Sequence, residues 1–168
     1  MKRILVSACL LGEAVRYDGK AQAIADPRLR AWQEEGRLVS CCPECAAGLP
    51  TPRPPAECQT SPSGTRVRTR DGIDLTDTFT EGAMLALAQA QANDVALAIL
   101  KERSPSCGVH RIYDGTFSGR NISGSGLTTC ALRAAGFPVF NEMELAEAAA
   151  CLAALEADYP GAAPSPRA

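Results

Sequence analysis

Apolar residues recur along the chain in runs of two kinds, separated by polar stretches that carry glycine and proline. Residues 3–8, 37–41, 95–100 and 138–140 are short, nearly continuous runs rich in Ile, Val and Leu, as expected of strands covered on both faces. Between them lie longer stretches with helical signals. Asp26-Pro27 offers an N-cap and a first-turn proline, and Gly36 a stop, for a helix of about ten residues. Residues 74–94, with Phe79, Met84, Leu85, Leu87 and Ala88, suit an amphipathic helix starting near Thr76 or Asp77. Leu127 to Ala135, closed by Gly136, is a further helix. Asn141, with Glu144 reaching back in a capping box, starts a last one running to about Tyr159. Strands alternating with helices predict an α/β fold. One domain over residues 1–159 would carry a mainly parallel, Rossmann-like sheet of about four or five strands with helices on both faces. Residues 160–168, with Pro160, Pro164 and Pro166, are expected to form a disordered tail.

Four stretches fall outside this alternation. Ala46 to Arg70 contains Pro50, Pro52, Pro54, Pro55 and Pro62, which predicts a long functional loop without sustained regular structure. Glu13 to Ala25 reads as a loop around Asp18-Gly19 that brings Arg16, Tyr17 and Lys20 as candidates for contacting a polar ligand. Arg111 to Phe117 alternates around a turn and suits a small hairpin or an irregular excursion. Gly119 to Gly126, ahead of a helix, could take an anion on backbone N–H groups. It matches neither a Walker loop nor a dinucleotide fingerprint, since Thr129 occupies the third glycine position.

The totals narrow the function. A net charge of −2 over 168 residues gives no global basic field, which disfavours nucleic acid as a partner. Only the arginines between 53 and 70, with Arg103, Arg111 and Arg120, could make a local patch. No apolar run approaches the roughly 18 to 20 residues of a membrane span, and the N-terminus lacks a signal-type region. A cytoplasmic protein with no membrane partner is the expectation. There, eight cysteines must be packing groups, metal ligands or redox residues rather than a disulfide framework.

Three of these thiols stand apart. Cys9, Cys42 and Cys107 each lie at or just beyond the end of a predicted strand, and the carboxyl ends of parallel strands share one crevice. Three thiolates meeting there would leave one corner of an iron–sulfur cubane open to a substrate. Zinc is the alternative for soft thiolates, but the chain offers one C-x-x-C, Cys42 and Cys45, and one histidine, His110. A thioredoxin-type redox motif would open a long helix after Cys42, which the following prolines forbid. His110 reads as a structural or loop residue, Cys130 and Cys151 as packing groups on apolar helix faces, and Cys41, Cys45 and Cys58 as incidental thiols near the site.

Five motifs occur together: residues 6–12 (Val-Ser-Ala-Cys-Leu-Leu-Gly), 42–44 (Cys-Pro-Glu), 48–53 (Gly-Leu-Pro-Thr-Pro-Arg), 101–108 (Lys-Glu-Arg-Ser-Pro-Ser-Cys-Gly) and 113–119 (Tyr-Asp-Gly-Thr-Phe-Ser-Gly). In this order, from about residue 2 to residue 145, the chain resembles the small bacterial thiouracil desulfidase family. The resemblance implies an oxygen-sensitive [4Fe–4S] enzyme that takes sulfur from a small thiolated pyrimidine, releasing uracil and sulfide. It implies Cys9, Cys42 and Cys107 as cluster ligands, with Glu44 and Ser104 as the catalytic pair. A carboxylate there would activate water, and a serine hydroxyl would position substrate or relay a proton. Cys45 stands where the family usually has an aliphatic residue and Cys41 precedes the expected ligand, so all three thiols remain open for that corner. Larger relatives with an added C-terminal domain act on tRNA, and lack of that extension favours a free base or nucleoside. Two other classes stay in view: a non-catalytic iron–sulfur or metal module that senses or carries sulfur, and a metal-free thiol redox protein. Nothing in the sequence sets the oligomeric state.

Overall fold

The computed structural model describes residues 1–158. The chain runs β1 (Arg3–Ser7), a 3₁₀ turn (Ala8–Leu11), α1 (Pro27–Glu34), β2 (Leu38–Cys41), α2 (Pro43–Ala46), β3 (Ala56–Ser61), β4 (Gly64–Thr69), α3 (Thr76–Ala92), β5 (Val95–Leu100), β6 (Arg111–Tyr113), β7 (Asn121–Ser123), α4 (Leu127–Ala134), β8 (Val139–Asn141) and α5 (Leu145–Ala157). The expected end of the last helix at Tyr159 and the tail at 160–168 lie outside the described residues.

Four strands pair in parallel in the order β2-β1-β5-β8, so the mainly parallel sheet expected from the sequence is present with four strands. The order is doubly wound. From β1 the chain moves to one neighbour and from β5 to the other, which leaves a crevice beyond the carboxyl ends of these two central strands. Side-chain alternation divides the apolar runs between two cores. Ile4, Val6, Leu97 and Ile99 pack with Leu29 and Trp32 of α1 and with Leu145 and Leu152 of α5. Leu5, Val39, Ala98 and Leu100 point the other way, against Ala86 and Ala90 of α3 and Leu132 of α4. Burial on both faces is why these strands read as unbroken apolar runs.

Residues 46–70 depart from the expected loop. After Pro55 the chain forms the antiparallel hairpin β3–β4, with Cys58 opposite Val67 and a turn at Pro62-Ser63. Prolines cluster before β3 and at the turn, so they bracket the strands and interrupt neither. Cys58, Val67, Phe79 and Ile112 form a third apolar cluster that fixes this hairpin to α3 and to the second small hairpin, β6–β7. The supposed anion loop is also different. Asn121–Ser123 is strand, and the first amides of α4 are engaged, Leu127 N–H to the Pro105 carbonyl at 3.1 Å and Thr128 N–H to that of Ser106 at 2.9 Å. Gly126 permits this approach, since a Cβ there would lie 2.3 Å from the Ser106 carbonyl oxygen. Cys130 is exposed rather than packed, because α4 turns Thr128, Thr129 and Leu132 inward and leaves position 130 between them facing out. Cys151 is half-buried against the α1/α5 cluster. The last helix starts at Leu145 with Glu144 at its N-cap position, while Asn141 closes β8; the expected reach-back is present, with Asn141 N–H donating to Glu144 Oε2 at 2.8 Å and Asn141 Oδ1 accepting the Met143 N–H at 2.9 Å.

The loop after β5 is held by a buried carboxylate. Glu102 Oε1 accepts the backbone N–H groups of Val109 (2.9 Å), Arg111 (3.0 Å), His110 (3.1 Å) and Arg103 (3.2 Å), while Oε2 accepts the Asn141 side-chain amide at 2.5 Å. Burial alone would raise its pKa. The donors from Arg111, Asn141, His110 and Val109 outweigh burial and hold it down at about 2. A depressed carboxylate stabilises the fold fully above its unfolded value near 4.5 and loses that contribution as pH falls toward 2. Glu102→Gln, which turns an NH₂ toward the same donors, is expected to lose about 2–3 kcal/mol at neutral pH. Urea unfolding across pH checks this: the gap between variant and parent should shrink on acidification below about pH 4.5, and parallel curves would contradict it.

Candidate active site

The crevice at the switch point is a cleft of about 610 Å³. Cys9, Cys42, Cys107, Glu44 and Ser104, the residues expected to carry the chemistry, all line it. Each arrives by a different device. Cys9 lies in the 3₁₀ turn that leaves β1, and Cys42 is the N-cap of α2, directly after β2. Pro43 occupies the first position of α2 and puts Glu44 in its first turn. This short helix sits hard against α3 at Gly82, where a Cβ would come 2.5 Å from the Pro43 carbonyl oxygen.

Cys107 and Ser104 share the loop that Glu102 holds. Ser104 Oγ accepts the N–H groups of Ser106 (3.1 Å) and Cys107 (3.0 Å). With both lone-pair directions engaged, its own O–H proton remains as the group to offer the cleft. The Cys107 carbonyl accepts Thr129 Oγ1 at 2.9 Å, and the Ser106 hydroxyl bonds Thr128 Oγ1 at 2.9 Å, so α4 backs the loop from behind.

Glu44 has one dominant partner. Arg53 Nε donates to Glu44 Oε2 at 2.6 Å, with both side chains largely buried. The remaining guanidinium donors reach the Val15 carbonyl (2.9 Å), Thr51 Oγ1 (3.1 Å) and the Pro50 carbonyl (3.2 Å), tying the 13–20 loop to the proline-rich segment. Glu44 Oε1 makes no hydrogen bond or ion pair among the described residues.

The thiols differ in surroundings. Burial pushes the Cys9 thiol up, opposed by the charges of Lys101 and Arg16. Burial takes Cys41 and Cys42 up to about 12 and Cys107 well above its ordinary value, the last opposed by the Ser7 hydroxyl beside it. Cys41 also lines the cleft, whereas Cys45, Cys58, Cys130 and Cys151 do not. Cys45 Sγ lies 3.6 Å from Thr51 Oγ1 and 3.9 Å from Arg53 Nη1. Cys58 donates to the Pro105 carbonyl at 3.5 Å from within the third cluster. Of the polar-loop candidates, Arg16 and Tyr17 face the cleft and Lys20 does not. His110 stays outside it, paired with Glu144 at 2.8 Å.

Sequence reading missed the supporting groups. Arg53 was visible only as part of a motif, and Glu102 only as a charge beside the cysteine loop. Glu57 carried no signal, yet its buried carboxylate accepts the N–H groups of Gly115 and Phe117 at the cleft rim.

A Bacillus subtilis (strain 168) protein described as uncharacterized protein YbbK is 43% identical over 148 residues, covering 84% of this chain and 97% of its own length. A solved structure described as a [4Fe–4S]-dependent thiouracil desulfidase, TudS, is 49% identical, with a TM-score of 0.88 over 92% of this chain and 99% of that one. The model of the 2-thiouracil desulfurase family matches residues 4–144, and the chain belongs to that family.

Proposed function

We propose that the protein hydrolyses the thiocarbonyl of a thiolated uracil to uracil and sulfide, using a [4Fe–4S] cluster held by Cys9, Cys42 and Cys107. The observation that carries this reading is the meeting of strand-end thiols, a carboxylate with a free oxygen and a serine with a free proton on one cleft wall. The likeness to a [4Fe–4S]-dependent thiouracil desulfidase supports it.

The donor set fits the cluster. Four thiols, Cys9, Cys41, Cys42 and Cys107, line the cleft. Soft thiolates suit a cubane, in which each binds a different iron. Cys42 is favoured over Cys45, which does not line the cleft, and over Cys41, the less exposed of the two neighbouring lining thiols and a residue of β2 itself. When bound, a three-thiolate cluster supplies an iron with an open position, a Lewis acid for a thiocarbonyl sulfur.

The side chains supply the rest of the hydrolysis. Arg53 fixes one oxygen of Glu44 and leaves Oε1 to take a proton from the water that attacks the thiocarbonyl carbon. Ser104 offers its O–H to the substrate or passes a proton toward the departing sulfur. The carbon–sulfur bond breaks, a carbon–oxygen bond replaces it, and water's protons leave with the sulfide and the solvent. The setting is the cytoplasm, whose reducing conditions suit eight free thiols. Among the described residues no helix is long and apolar enough to cross a membrane.

Two predictions test the assignment. Anaerobically reconstituted parent protein should hold about four irons per chain. Cys9→Ala, Cys42→Ala and Cys107→Ala should lose the visible iron–thiolate absorbance, while Cys41→Ala and Cys45→Ala keep it. A Cys42→Ala protein with full iron content would move that ligand elsewhere. Glu44→Gln and Ser104→Ala should retain the cluster and lose about 100-fold or more in turnover of 2-thiouracil. Turnover within about twofold of the parent would remove either residue from the mechanism.

A further inference from the structure

We propose that the ring of Phe117 is the platform against which the pyrimidine of the substrate lies flat. The inference rests on the thiouracil reading above and adds to it the residue that orients the base. Phe117 lines the cleft, together with Tyr17, Phe79 and Tyr113. Phe79 is a core residue, but the Phe117 ring packs into none of the three apolar clusters. Its backbone has φ +57, in the left-handed region that a bulky side chain adopts only when its surroundings impose it.

Those surroundings are specific. The Glu57 carboxylate, buried in β3, accepts the N–H groups of Gly115 at 2.9 Å and Phe117 at 3.0 Å. Gln59 Nε2 donates to the Gly115 carbonyl at 3.2 Å, and Asp114 Oδ1 accepts the Thr116 N–H at 2.9 Å. Gly115 lies so close to β3 that a Cβ would fall 2.7 Å from Gln59 Cγ and 2.8 Å from the Cys58 carbonyl oxygen. Glu57 and Gln59, two residues apart in β3, therefore pin a loop whose strained residue points an aromatic ring at the cleft. The Arg70 guanidinium, 5.5 Å from the ring centroid, braces it by a cation–π contact. A ring held this way without being used for packing offers a flat π-face to a planar heterocycle.

The test uses cluster-loaded parent, Phe117→Asn, Phe117→Leu and Phe117→Tyr. Asn accepts the left-handed backbone while removing the ring, Leu keeps apolar bulk without a π-face, and Tyr keeps the ring. Equilibrium dialysis against uracil gives binding to the protein itself, and kinetics with 2-thiouracil give KM and kcat separately. Phe117→Asn and Phe117→Leu are expected to weaken uracil binding and raise KM by about tenfold or more, with kcat changed by less than about threefold, while Phe117→Tyr stays within about threefold on every measure. The unfolding midpoint of Phe117→Asn should be no lower than the parent's, because Asn relieves the backbone strain. Uracil binding by Phe117→Asn within about twofold of the parent, or no uracil binding by the parent, would overturn the platform. Ring-dependent uracil binding by a parent that leaves 2-thiouracil intact would uphold the platform and overturn the desulfidase reading instead.

Discussion

The Glu102 carboxylate, receiving four backbone N–H groups and the Asn141 amide, is the interaction on which the cleft depends. The segment after β5 has no helix or strand of its own until Arg111, so its amides need acceptors that the chain must supply. Glu102 takes the Arg103 N–H before Cys107 and those of residues 109–111 beyond it, and Ser104 Oγ takes the two nearest, of Ser106 and Cys107. The carbonyls of Pro105 and Ser106 are in turn capped by the first amides of α4. A loop that carries both a thiol and a hydroxyl is thereby held at both ends by hydrogen bonds. The same carboxylate orders the start of α5 through Asn141, and Glu142 accepts both the Glu102 N–H and Lys101 Nζ.

Two acidic residues at one cleft thus have opposite situations. Every strong acceptor direction of Glu102 is engaged by fixed donors, which makes it a structural anion. Glu44 is held at one oxygen by Arg53 and retains the other. What separates the two carboxylates is the number of fixed donors around each. The sheet contributes the second constraint: parallel pairing in the order β2-β1-β5 brings the ends of these strands to one crevice, and with them thiols far apart along the chain.

Much of this was legible in the sequence because apolar runs and caps report on burial directly. The four sheet strands, α1, α3 and α4 fell close to their expected bounds, and all five expected site residues reached one cleft. The β3–β4 hairpin was hidden because the prolines around it dominate the local composition, while its alternation, Val67 between Arg66 and Arg68, is carried by few apolar residues. The last helix began later than Asn141 because that residue still pairs with Leu100 as the end of β8. Cys130 was misread as a packing group since apolar neighbours in sequence do not set which side of a short helix turns inward. The clamps by Glu57, Arg53 and Glu102 were out of reach for a different reason. Each joins residues that pair only once the fold is formed, and a lone carboxylate in a sequence does not announce how many donors will surround it.

The proposed reaction in this cleft exchanges a thiocarbonyl sulfur for the oxygen of water. The most direct measurement is an anaerobic incubation of cluster-loaded protein with 2-thiouracil in heavy-oxygen water, followed by mass analysis of the pyrimidine and assay of sulfide. The predicted result is uracil carrying one heavy oxygen and an equal amount of sulfide. Protein with a full cluster that leaves 2-thiouracil unchanged, or that yields uracil without the solvent label, would contradict it.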